Sequence, residues 1–120
     1  MSASIERRMR AARERWIDAA GVRVKIRRPL PLELAEIHER GEVGVRAAVV
    51  AAYVVDWEVT EAQLLPGVGG DEAVPFSTGA WREFMAGRLD VFSAAANEIL
   101  GWYEEHRKAT EAIPGKSESS

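Results

Sequence analysis

The chain has 120 residues, 47% of them apolar, a formal net charge of −3 and no cysteine. That length corresponds to one domain with a small core, and the missing cysteine excludes disulfides, thiolate metal sites and a cysteine nucleophile. No apolar run approaches the roughly 20 residues of a membrane span, and no apolar stretch follows the N-terminal arginines as a secretory signal requires; the reducing cytoplasm is permitted.

The charge is unevenly spread. Residues 1–28 hold nine Lys/Arg against three Asp/Glu, whereas residues 29–120 hold seven against sixteen. Such polarity points to contacts within a homo-oligomer or to a partner of complementary charge. Nucleic acid is the weaker reading of the basic end, because Arg7, Arg8, Arg10, Arg13 and Arg15 come without interleaved aromatics.

Residues 4–15 read as a helix with a narrow apolar face of Ile5, Met9 and Ala12. Val22, Val24 and Ile26 then alternate with Arg23, Lys25 and Arg27, a half-buried strand closed by Pro29. Gly21 supplies a turn, so a hairpin with Trp16-Ile17 in its first arm is expected. The cationic face of this strand is either a charge-guarded solvent edge, the reading of greater weight, or an anion or partner surface.

Pro31 suits a first helical turn, and Leu30, Leu34 and Ile37 give a short helix to about Arg40, ended by Gly41. A second helix is expected over 43–57, where Val43, Ala47, Val50, Val54 and Trp57 repeat at alternating spacings of four and three. Glu58 to Ala73 reads as a flexible, deletion-tolerant connector rich in glycine. Across it, Val59 and Val74-Pro75-Phe76 are placed to form a small ribbon that brings Trp57 to Phe76 or to the helix bearing Trp81. Ser77 or Thr78 caps that next helix, with Trp81, Phe84 and Met85 on its apolar face. A longer helix runs from Leu89 to about Thr110 and carries Phe92, Ala95, Ile99 and Trp102. The expected fold is therefore α-rich, mainly α with a small β-hairpin, about four helices in one compact domain over 1–113. Within it a basic helix and strand span 4–28 and a helical body spans 30–110, with a disordered tail at 114–120.

No catalytic constellation emerges. His38 and His106 fall on separate helices, Ser77 serves as a cap, and Asp56 and Glu58 flank Trp57 on outward positions. The Gly67-Val68-Gly69-Gly70 run lacks the Lys-Ser/Thr ending of a phosphate loop, and the acidic spacing of a calcium loop is missing. The expectation is a non-enzyme with no catalytic residue, cofactor or metal.

Val49-Val50, then Tyr53-Val54-Val55-Asp56-Trp57-Glu58-Val59-Thr60, a Gly/Asp/Glu loop, Ala73-Val74-Pro75-Phe76-Ser77 and a following helix form an ordered series. With the upstream basic strand ending in Arg27-Arg28-Pro29, it resembles the tail assembly chaperones of long-tailed bacteriophages and prophages over roughly residues 16–105. The resemblance implies a non-catalytic protein of the infected host's cytoplasm. Such a protein binds the tape measure protein, assists tail tube assembly alongside the tube protein, and is absent from the mature virion. The alternatives are a structural tail component of joining or terminator type retained in the virion, and a small DNA-associated regulator using the basic N-terminus. Candidate partner-binding residues are Arg23, Lys25 and Arg27 on the strand, Val50, Val54 and Trp57 on the central stripe, and Phe92, Ile99 and Trp102 on the last helix.

Overall fold

The computed structural model describes residues 4–40 and 44–111; the expected tail at 114–120 and the expected helix start at Val43 lie outside them. In chain order the elements are α1 (Ile5–Ala11), β1 (Glu14–Ala19), β2 (Val22–Arg27), α2 (Pro31–Glu39), α3 (Val45–Tyr53), β3 (Val54–Glu58), α4 (Glu61–Leu64), α5 (Thr78–Ala86) and α6 (Leu89–Glu111). The described residues thus hold six helices and a three-stranded antiparallel sheet in the order β1-β2-β3. This corrects the expectation of a mainly α body of about four helices with a small hairpin: the fold is mixed, with a sheet at its centre.

The hairpin forms where the alternation requires it. β1 pairs with β2 from Glu14↔Arg27 to Ala19↔Val22. The turn is closed by the Asp18 carboxylate, which accepts from the Gly21 N–H at 2.7 Å. Ala20 and Gly21 both have positive φ, 53° and 87°, as the tight turn between twisted strands demands.

The larger correction lies at residues 54–58. The expected 43–57 helix stops at Tyr53, and Val54 begins β3 with no connecting residue. β3 pairs with β2 through Arg23↔Glu58, Val24↔Trp57, Lys25↔Asp56 and Ile26↔Val54, with a bulge that leaves Val55 extra. β2 is therefore the central strand, not a solvent edge. Pairing with Val24 and Ile26 satisfies the backbone of two β-branched residues and a tryptophan, types that favour strand over helix.

The sheet has two unlike faces. Val22, Val24, Ile26, Val54 and Trp57 point inward and are buried. Against them lie α3, through Val49 and Val50, and α6, through Val91, Ala95, Ala96 and Ile99, all fully buried. α2 adds Leu34 and Ile37. A polar joint ties the hairpin to these helices. The Arg13 guanidinium donates to the Arg28 carbonyl at 2.5 Å and reaches Glu33 at 3.4 Å. Glu33 also accepts from the Leu30 N–H at 2.8 Å. Burial, followed by the nearby Glu33 carboxylate, pushes the Tyr53 pKa up.

The segment after β3 is no loose connector. α4 forms inside it, with the Gln63 side chain accepting from the Thr60 N–H at 2.9 Å. The Glu61 N–H donates to Glu72 O, the Ala62 N–H to Gly70 O and the Val74 N–H to Val59 O, all at 2.9 Å. A Cβ at Gly69 would fall on the Glu61 backbone, so this glycine is required for the close approach.

Candidate partner-binding surface

The expected ribbon is present as a Thr60↔Ala73 bridge beside the Val59–Val74 hydrogen bond. It locks the Trp57 indole, whose Nε1 donates to the Val74 carbonyl at 2.8 Å. Phe76, Trp81 and Phe84 surround that ring edge-on, with centroids at 5.5, 6.4 and 6.3 Å. Trp81 is itself fully buried, and its Nε1 donates to the Val50 carbonyl at 3.0 Å, pinning α5 to α3.

This burial sorts the sequence-derived candidates. Val50 and Ile99 are fully buried, and Val54 and Trp57 are buried as well; all four are consumed by the chain's own core and face no solvent. Phe92 and Trp102 are half-buried on α6. Trp102 is covered by two guanidiniums, Arg15 at 4.3 Å and Arg28 at 5.2 Å from the ring centroid, which fastens α6 across the hairpin by cation–π contact.

Arg23, Lys25 and Arg27 share the outer face of β2, as the alternation requires, but they are not a free cationic patch. Glu14, Trp16 and Asp18 of β1 stand opposite them on one side, Asp56 and Glu58 of β3 on the other. Arg27 meets Glu14 at 2.6 Å, Arg23 meets Glu58 at 2.9 Å, and Lys25 lies 3.7 Å from Glu14. Four carboxylates and three cations make this face nearly neutral, with Trp16 beneath Arg23 and Lys25 at 5.0 and 5.8 Å. Opposite charges across neighbouring strands stabilise the sheet.

The surface best suited to a partner lies elsewhere. α4, the ribbon and α5 enclose an open groove of about 690 Å³, lined chiefly by the apolar groups of Leu64, Leu65, Val74 and Phe84. Glu61, Glu83 and Arg88 also line it, and Asp71 and Glu72 sit in the adjoining loop. Phe84 joins the groove floor to the Trp57 cluster.

No known protein family, curated protein or solved structure matches this chain.

Among the described residues no group of three His, Cys, Asp or Glu side chains is placed to hold a metal ion, and no helix is long and apolar enough to cross a membrane. His38 is exposed with Nδ1 3.0 Å from the Leu34 carbonyl. His106 lies on a separate shallow cleft beside Pro29. Asp90, held down to about 2 by the Arg88 guanidinium, is an exposed ion pair at the start of α6. Of these groups only Arg88 borders the groove, which gathers apolar side chains with more carboxylates than cations around them. Its chemistry is suited to docking an amphipathic helix. Leu64 and Leu65 were the signal for it in the sequence, two adjacent leucines inside a segment read as connector.

Proposed function

We propose that this chain is a non-catalytic tail assembly chaperone of a long-tailed bacteriophage or prophage, which binds the tape measure protein and assists tail tube assembly. It acts in the host cytoplasm during assembly and leaves before the virion matures. The resemblance supplies the family. The observation that supports the mechanism is the groove between α4 and α5, which the loop after β3 and Val74 line together with α5.

A tape measure protein exposes long apolar helix faces until the tube encloses it. Leu64, Leu65, Val74 and Phe84 offer such a face an apolar seat. The surrounding carboxylates keep the complex charged, and so soluble. Apolar patches of this kind on a small protein mark interaction sites.

Co-expression with the tape measure protein tests the reading. The wild-type chain keeps that protein in the soluble fraction and co-purifies with it, and Leu65→Glu, at an exposed groove position, loses both without unfolding. A tape measure protein that stays insoluble with the wild-type chain defeats the proposal. Stoichiometric recovery of the chain in mature particles favours the structural tail component instead.

A further inference from the structure

A second cleft, apart from the groove, lies where the link between β2 and α2 meets the C-terminal half of α6. Its volume is about 270 Å³. Arg28, Pro29 and Leu30 line it from the link, and Tyr103, His106 and Thr110 line it from α6. We infer that this cleft binds an organic monocarboxylate, with the Arg28 guanidinium on the carboxylate and the proline–leucine wall against its apolar body. The inference does not rest on the groove or on the function proposed above.

The ion pairs single out Arg28. Among the described residues the half-buried cations are Arg13, Lys25, Arg27, Arg28, Arg88 and Arg107. Arg13 meets Glu33 at 3.4 Å, Lys25 and Arg27 meet Glu14 at 3.7 and 2.6 Å, Arg88 meets Asp90 at 2.8 Å, and Arg107 meets Glu104 at 2.8 Å. Arg28 alone has no carboxylate among the described residues. A charge withdrawn from water without a counter-ion is costly. Burial, followed by the charge of Arg13, accordingly lowers the Arg28 pKa.

Arg28 is also held in place. Its N–H donates to the Arg13 carbonyl at 2.7 Å, and its own carbonyl accepts from the Arg13 guanidinium at 2.5 Å. Its guanidinium sits 5.2 Å from the Trp102 ring centroid. An arginine braced against an aromatic ring is pre-organised, and its planar fork of N–H donors matches a carboxylate with two parallel bonds.

The rest of the cleft selects the kind of anion. Arg107 lines it too, but is already held by Glu104 and Glu111 at 2.8 and 2.6 Å. One positive charge is therefore left unmet, and those two carboxylates disfavour a multiply charged anion such as phosphate. The half-buried Tyr103 and Thr110 add hydroxyl donors. Leu30, 42% exposed, and the neighbouring prolines offer apolar contact. The volume lies just under the ~300 Å³ of the smaller ligand sites, which suits a small acid or the end residue of a chain.

Amide NMR of the isotope-labelled full chain, titrated with phenylpropionate, tests this. Saturable shifts are expected at the Trp102 indole N–H, at the Arg28 and Leu30 amides and along residues 103–110, half-complete near about 1 mM and weakened by added salt. Arg28→Gln weakens binding at least about tenfold. Arg28→Lys keeps the charge and loses the fork, so it falls between the two; it also serves as the test should Arg28→Gln disturb the fold. Neutral phenylpropanol and inorganic phosphate each bind at least about tenfold more weakly than the acid. A capped tripeptide with a free C-terminal leucine separates the two sources of such a carboxylate. Tighter binding than phenylpropionate supports the site as a reader of a chain terminus, and weaker binding supports it as a site for a free small acid. No saturable shift up to about 20 mM, binding indifferent to both Arg28 variants, or an alcohol or phosphate that binds as well as the acid would each overturn the inference.

Discussion

Truncating Trp57 to alanine is the sharpest perturbation the structure offers. The residue is 4% exposed, and burying and then removing so large a ring costs about 3–5 kcal/mol. Three edge-on aromatic neighbours at 5.5, 6.4 and 6.3 Å place it at the upper end, since each such contact contributes about 0.5–1.5 kcal/mol beyond area. The Nε1 bond to the Val74 carbonyl at 2.8 Å adds about 1 kcal/mol. These contributions overlap, and a net loss of about 4–5 kcal/mol is expected for Trp57→Ala, about a quarter or more of the ~5–15 kcal/mol typical of a domain. Trp57→Phe keeps most of the ring but leaves the Val74 carbonyl without its donor, for about 1–2 kcal/mol. Urea denaturation followed by far-UV circular dichroism measures both. A Trp57→Ala loss below about 1 kcal/mol, or equal losses for the two variants, would refute the account of a ring held by both packing and a hydrogen bond.

Four further outcomes follow from the same geometry. Tyr53 has a raised pKa in the folded chain, caused first by burial and then by Glu33, so the unfolded tyrosine ionises first, near pH 10. Its stabilising contribution is complete below about pH 10 and is lost as pH rises further; wild-type stability therefore falls more steeply there than that of Tyr53→Phe, and parallel curves would exclude the effect. Gly69→Ala should cost about 1–3 kcal/mol through collision with the Glu61 backbone, and deletion of residues 67–70 should lower the melting temperature; an unchanged melting temperature would restore the flexible-connector reading. Ala20→Asn relieves a non-glycine residue at φ 53° and should raise stability by up to about 1 kcal/mol, with no gain or a loss counting against strain at the turn. Arg23→Glu with Arg27→Glu sets like charges against Asp18, Glu58 and Glu14 and should destabilise most at low salt; salt-independent stability equal to wild type would show that the outer face is not held by charge.

The hairpin was legible because Val22, Val24 and Ile26 alternate over a run long enough to define a face, and because Gly21 marks its turn. α2, α5 and α6 were legible from long periodic stripes and from the Ser77 cap, whose Oγ accepts from the Ala80 N–H at 3.1 Å. The Trp57–Phe76 meeting was legible from the two apolar segments that bracket the loop. β3 was hidden for a physical reason. Val54 and Trp57 lie three apart, a helical spacing, and the bulge at Val55 is what returns both to the inner face of a strand. Its five residues show no period-two pattern, so pairing with β2 decides their conformation. α4, at four residues, is too short for any period, although Thr60 followed by Gln63 is a helix-start pattern. The groove needed α4, so the adjacent Leu64 and Leu65 marked apolar surface in the sequence without giving its shape. The candidate stripes were correctly found as apolar, but periodicity cannot tell a core face from a docking face.

The order of the sheet also bears on how the chain is made. β1 and β2 are neighbours joined by two residues and can pair within microseconds of emerging. Their inner face has no lid at that moment. Val49 and Val50 arrive after two further helices have begun, β3 joins only after α3 is complete, and Val91, Ala95 and Ile99 belong to α6, the last helix of the described residues. During vectorial synthesis the nascent hairpin thus stays open on its greasy side until α6 has been made, an interval in which exposed strands aggregate. α6 is the latch: its arrival, rather than the pairing of any strand, closes the inner face of this sheet.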